Sequence, residues 1–141
     1  MHRRDWLKGA AAIAAATPLA GPALRAAQGQ RTLRANGARV NAQLARFDAI
    51  GRTPGGINRV AYSDADLAGR AFTLALFREA GLTPQLDAAG NIIARVEGRE
   101  ALPPIIIGSH VDSVTDGGNY DGPVGSFAAI EVARSLREQG I

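Results

Sequence analysis

The sequence predicts an α/β domain with an incomplete sheet. Three observations predict it: stripes of apolar residues at helical spacing, short β-branched runs set between them, and an uninterrupted apolar run, Ile105-Ile106-Ile107. From Asn36 to Ile50 the apolar positions Val40, Leu44, Phe47 and Ile50 recur every three or four residues, and Gly51 is a natural terminator, so a first amphipathic helix is expected there. Arg52-Thr-Pro-Gly-Gly-Ile-Asn58 is rich in Pro and Gly and reads as a loop. Ser63 followed by Asp66 resembles a capping box, and Leu67, Ala71, Leu74 and Phe77 continue a second helical stripe that Gly81 ends. Leu82–Asp87, the turn Ala88-Ala-Gly-Asn91 and Ile92–Val96 then predict a β-hairpin. Ile105–Ile107, introduced by Pro103-Pro104, reads as a strand buried on both faces. A Gly-rich loop leads to a third helix over Phe127–Leu136, closed by Gly140. Ile141 stands where a further strand would begin, so the chain is expected to be a fragment of a larger α/β sheet.

Composition narrows the chemistry. The 141 residues suit about one domain, with 46% hydrophobic residues and no cysteine, which removes a disulfide scaffold, a Cys-rich zinc module and a thiol nucleophile. The net charge of +3 lies wholly in residues 1–27, where Arg3, Arg4, Lys8 and Arg25 face one Asp5. Residues 28–141 carry 12 Arg against 12 acidic groups. That neutral body offers no basic face for nucleic acid and no basis for stable membrane association. Lys8 is the only lysine, so the body supplies neither a Schiff-base lysine nor the lysine of a phosphate-binding loop. Histidine occurs only as His2 and His110, and imidazole chemistry in the body rests on His110.

Residues 1–27 resemble a twin-arginine signal peptide. Arg-Arg-Asp-Trp-Leu-Lys at 3–8 precedes a short Ala-dominated stretch, Gly9–Ala20, and small residues near Ala23, Ala26 and Ala27 fit a cleavage region. The expectation is periplasmic localisation by twin-arginine export, with residues 28–141 forming the functional body; the alternative is an Arg-rich amphipathic helix on a cytoplasmic protein.

The chemistry concentrates in residues 108–125, Gly-Ser-His-Val-Asp-Ser-Val-Thr-Asp-Gly-Gly-Asn-Tyr-Asp-Gly-Pro-Val-Gly. His110 follows the carboxyl end of the expected strand, where open α/β sheets place ligands and catalytic groups. Asp112 is spaced to accept a hydrogen bond from the imidazole nitrogen that does not ligate, fixing the tautomer. Four glycines free the backbone to return Asp121 towards His110, and an imidazole with a carboxylate suits Zn²⁺, Mn²⁺ or Co²⁺. The same residues also fit a polar turn, and Asp116 and Asn119 read as turn residues. A calcium loop from Asp112 fails at Val114 and Pro123. No dinucleotide fingerprint G-x-G-x-x-G and no G-x-S-x-G elbow is present.

Gly-Ser-His110-Val-Asp112-Ser-Val with Gly117-Gly118-Asn-Tyr-Asp121-Gly122-Pro-Val-Gly125 resembles the metal-binding motif of the hydantoinase/carbamoylase family of amidohydrolases. That family includes N-carbamoyl-L-amino acid hydrolases, allantoate amidohydrolases and ureidopropionases, within the aminoacylase and carboxypeptidase superfamily. The likeness extends upstream through Gly55-Gly56-Ile-Asn-Arg59, Ala80-Gly81-Leu82 and Asp87-Ala-Ala-Gly90-Asn91, covering roughly residues 36–141.

The resemblance implies the N-terminal part of a three-layer, zinc-peptidase-like catalytic domain. It makes His110 a ligand of one metal, Asp121 the carboxylate bridging two divalent ions (Zn, Mn or Co), and Asp112 the catalytic partner that orients His110. Ser113 stands where the family often has Thr. The implied reaction is hydrolysis of C–N bonds in N-carbamoyl or ureido acids by a metal-bridging water, in an enzyme that is a homodimer when complete. The family's paired glutamates, remaining histidine ligands and lid domain have no counterpart here, so the isolated chain is expected to be inactive. Alternatives are an aminopeptidase or N-acyl amino acid deacylase on the same scaffold, or a non-catalytic metal or partner-binding module.

Overall fold

Asn36 starts the first helix by accepting the Arg39 N–H on its side chain at 3.0 Å, which satisfies a backbone donor that no helical carbonyl can reach. The resulting α1 runs Gly37–Phe47 in the computed structural model, which describes residues 33–141. The expected signal segment, residues 1–27, lies outside the described residues. Ser63 caps α2, Asp64–Glu79, by accepting from the Asp66 N–H. Asp66 returns the favour one residue earlier than a standard box: its carboxylate accepts from the Tyr62 N–H at 2.8 Å and from Arg70 Nε at 2.8 Å. Gly81, in the left-handed region at φ +75°, ends the helix as expected.

The hairpin forms as β1, Gln85–Leu86, paired antiparallel with β2, Ile92–Ile93, in the register Gln85 to Ile93 and Leu86 to Ile92. It is shorter than the sequence predicts at both ends, because Leu82 turns inward to the core instead of extending the strand. Its turn is wired by Asp87, whose carboxylate accepts from the Ala89 and Asn91 N–H groups at 2.9 and 2.8 Å. Arg70 of α2 donates to the Gly90 carbonyl and ties the turn to the helix.

The third helix, α3, spans Pro123–Glu138 and starts four residues before the predicted Phe127. Pro123 explains the difference: its fixed φ and missing N–H suit the first helical position. α1 packs directly on α3. Leu44 and Phe47 of α1, Leu76 of α2, Ala80, Leu82, and Phe127 and Ile130 of α3 form one buried cluster. At its centre three phenylalanines meet, with Phe47 edge-on to Phe127 at a centroid distance of 5.0 Å and tilted against Phe72 at 5.3 Å. Arg39 of α1 clamps Glu131 of α3 from the side, Nε to Oε2 at 2.7 Å and Nη2 to Oε1 at 2.8 Å.

Two expectations need correction. Ile105–Ile107 is not a buried strand here: the three residues are 90%, 92% and 54% exposed and pair with no strand among the described residues. A continuous apolar run becomes a buried strand only when neighbours hydrogen-bond to both edges and cover both faces, and those neighbours are not among residues 33–141. Asn119, read as a turn residue, is buried, and its amide donates to the Leu44 carbonyl at 3.0 Å, fastening the Gly-rich loop to α1. Asp116 is a turn residue as expected, with φ +51° and its carboxylate on the Asn58 amide at 2.8 Å. No helix among the described residues is long and apolar enough to cross a membrane.

Candidate functional site

The backbone of residues 109–113 runs between the loop of Ile57 and Arg59 on one side and the first turns of α3 on the other. On the first side, Arg59 and Ser113 exchange bonds: the Ser113 N–H donates to Arg59 O at 2.8 Å, and the Arg59 N–H donates to Ser113 Oγ at 2.9 Å. The Ser113 hydroxyl donates in turn to Ile57 O at 3.1 Å. Ile57 and Gly117 pair reciprocally at 2.9 Å, which closes the loop that leads to Asp121. The Arg52–Asn58 loop is therefore the shelf on which the His-x-Asp segment rests.

On the second side, glycines let the segment lie against α3. A Cβ at Gly122 would stand 2.5 Å from His110 Cε1, so the imidazole lies directly on that bare backbone, and Gly122 also holds φ +87°. A Cβ at Gly125 would meet Ser109 Cβ at 2.8 Å. Ser126 Oγ donates to His110 O at 3.1 Å. The glycines of the motif thus bring His110 to the residue next to Asp121, and Asp121 itself is exposed.

His110 and Asp112 face each other across Val111. His110 Nδ1 lies 3.2 Å from Asp112 Oδ1 and 3.2 Å from the Asp112 carbonyl. Both neighbours are acceptors, so a proton on Nδ1 would satisfy them, and that tautomer would leave the Nε2 lone pair available. The His110 side chain is half exposed. A cavity of about 180 Å³ borders the pair, lined on the opposite wall by Asp66, Arg70, Gly90 and Asn91. Among the described residues no three His, Cys, Asp or Glu side chains gather closely enough to hold a metal ion.

Arg59 is the site residue that reasoning from the sequence passed over. It is fully buried, donates from Nε to the Val111 carbonyl at 2.6 Å and from Nη1 to Ile50 O at 2.7 Å, and stacks 3.8 Å over the Phe47 ring. Burial pushes its pKa down, opposed by the charges of Asp66, Asp112 and Asp48. Ile57-Asn-Arg-Val60 shows no apolar alternation that would have placed Arg59 inside, so its burial was not legible in the sequence.

No protein-family profile matches the chain. Curated proteins do. An N-carbamoyl-L-amino acid amidohydrolase of Geobacillus stearothermophilus is 36% identical over 107 residues, which is 74% of this chain and 26% of that protein. Another, from Paenarthrobacter aurescens, is 42% identical over 99 residues, 70% of this chain and 23% of that protein. The chain is a homologue of the hydantoinase/carbamoylase amidases. A crystal structure of a hydantoinase/carbamoylase family amidase from Burkholderia ambifaria superposes with a TM-score of 0.73 at 42% identity, covering 79% of this chain and 28% of that one. The described residues therefore share the fold of part of the α/β hydrolase domain of these amidases. A ureidoglycolate hydrolase of Oryza sativa subsp. japonica is 42% identical over 85 residues, 60% of this chain and 18% of that protein. The chain spans about a quarter of the length of the curated amidohydrolases that it matches.

Proposed function

We propose that this chain carries part of the active centre of a metal-dependent amidohydrolase that cleaves C–N bonds in N-carbamoyl or ureido acids. The observation that carries the substrate class is the 36–42% identity to N-carbamoyl-L-amino acid amidohydrolases over about seven-tenths of the chain. His110 would supply an imidazole nitrogen and Asp121 a shared carboxylate to two divalent ions, and Asp112 would keep the imidazole in the Nδ1–H form. The donor set fits such ions: a neutral imidazole whose other nitrogen is engaged, and an exposed carboxylate one residue from the backbone on which that imidazole lies. When bound, the ions supply Lewis-acid polarisation and a water acidic enough to act near neutral pH. The chain's own residues orient and pre-organise: Asp112 takes the Nδ1 proton as a hydrogen bond, Ser126 holds the His110 carbonyl, and Gly122 and Gly125 let the segment sit on α3.

These residues supply two ligands, so the 141-residue chain alone is proposed to be inactive, and the complete enzyme to be a homodimer. Residues 1–27 are proposed to direct twin-arginine export to the periplasm. The test measures Zn²⁺ binding by equilibrium dialysis and hydrolysis of N-carbamoyl amino acids and allantoate. His110→Ala and Asp121→Ala should abolish Zn²⁺ binding, and Asp112→Asn should weaken it by roughly 10–100-fold. Zn²⁺ bound equally well after Asp121→Ala would remove the ligand assignment, and chelator-sensitive turnover by the 141-residue chain would overturn its inactivity.

A further inference from the structure

Arg59 is expensive where it stands. Its guanidinium is fully buried and forms no ion pair among the described residues, and taking such a charge out of water is costly unless strong contacts replace the lost hydration. Gly69 is bare where Arg59 passes, since a Cβ there would meet Arg59 Cδ at 2.7 Å. An apolar side chain would fill this space at less cost. What an apolar chain could not do is donate to two carbonyls 61 residues apart in sequence, Ile50 O and Val111 O.

The second of those carbonyls belongs to the peptide that joins Val111 to Asp112. In extended backbone, neighbouring side chains alternate, so the residues whose groups face Arg59, Val111 and Ser113, are separated from His110 and Asp112. Val111 packs against the core and Ser113 binds the Arg59 backbone, which leaves His110 and Asp112 together on the opposite side. Holding the Val111 carbonyl fixes the plane of that peptide, and with it the direction in which Asp112 leaves the chain.

We propose that Arg59 is a positioning residue: by gripping the Val111 carbonyl it sets Asp112 beneath His110 Nδ1 and so keeps Nε2 free for a ligand. This rests on the reading of His110 as a metal ligand, and the experiment separates the two. It uses the full 141-residue chain without metal. Nitrogen-15 NMR reports which His110 nitrogen carries the proton, and dialysis against Zn²⁺ follows in the same samples. The unaltered chain should show the Nδ1–H form. Arg59→Met, which loses both carbonyl contacts, and Arg59→Lys, which retains the charge and reaches one, should move His110 towards Nε2–H and weaken Zn²⁺ binding about 10-fold. Ile130→Val, which loosens the same core from α3 and leaves the Phe47 ring under Arg59, should leave the proton on Nδ1.

If Arg59→Met does not fold, Arg59→Lys decides. The proposal falls if the unaltered chain shows Nε2–H, if His110 keeps Nδ1–H in the folded Arg59 variants, if Ile130→Val shifts it equally, or if neither Arg59 variant folds. A tautomer shift that leaves Zn²⁺ affinity unchanged would sink the ligand reading of His110 through Nε2 and leave the positioning role standing.

Discussion

Replacing Glu131 with Gln removes the charge at the centre of the α1–α3 contact. The Glu131 side chain is 1% exposed and accepts four hydrogen bonds: from the Asn36 N–H at 2.8 Å, Arg39 Nε at 2.7 Å, Arg39 Nη2 at 2.8 Å and Ser135 Oγ at 2.9 Å. Chiefly through the Arg39 bonds, against the opposing cost of burial, its pKa falls from 4.5 to about 2. At about 1.4 kcal/mol for each tenfold change in proton affinity, ionised Glu131 contributes roughly 3 kcal/mol to folding. Because the folded value is the lower one, that stability is complete above about pH 4.5 and drains away as pH falls towards 2. Glu131→Gln should therefore cost roughly 3 kcal/mol at pH 7, and the gap between the two proteins should narrow to about 1 kcal/mol at pH 3. Urea unfolding followed by far-ultraviolet circular dichroism measures both. A cost below 1 kcal/mol at pH 7, or a gap that stays constant between pH 4.5 and 3, would refute this account of the contact.

Gly122→Ala places a methyl group 2.5 Å from His110 Cε1 on a residue at φ +87°, so it should displace the imidazole and reduce Zn²⁺ affinity by at least about 10-fold while costing only about 1–3 kcal/mol of stability. Dialysis together with thermal unfolding checks it, and unchanged affinity would mean that the ring does not need that backbone. Changing Arg3 and Arg4 to Lys preserves charge, yet should stop export and leave unprocessed precursor in the cytoplasm. A fusion of residues 1–30 to a reporter that folds before export reads this, and an undiminished periplasmic signal would remove the twin-arginine assignment.

The helices were legible because their evidence is local. Val40, Leu44 and Phe47 share a face whatever lies opposite, and Ser63 caps α2 with atoms three residues away. The hairpin was legible for the same reason: Asp87, Gly90 and Asn91 make its turn among themselves. What the sequence could not disclose depends on distant partners. Glu131 looks like a surface residue of a helix until Arg39, 92 residues earlier, is folded against it. Ile105–Ile107 looks buried because apolar residues prefer to be, but a run of isoleucines carries no information about which strands lie beside it. At the candidate site, the His-x-Asp spacing anticipated the Nδ1 contact, whereas the hold of Arg59 on the intervening carbonyl spans 52 residues and left no local pattern as its trace.

The meeting of Phe47, Phe72 and Phe127 also decides how this molecule can be watched. Among the described residues the interior chromophores are phenylalanines, which emit weakly, whereas Tyr62 and Tyr120 are 78% and 67% exposed. Tyrosine emission from residues 33–141 thus reports on the surface, and the core can loosen with little change in it. A tryptophan introduced at Phe72, at the half-buried rim of the trio, would give the interior an optical voice of its own.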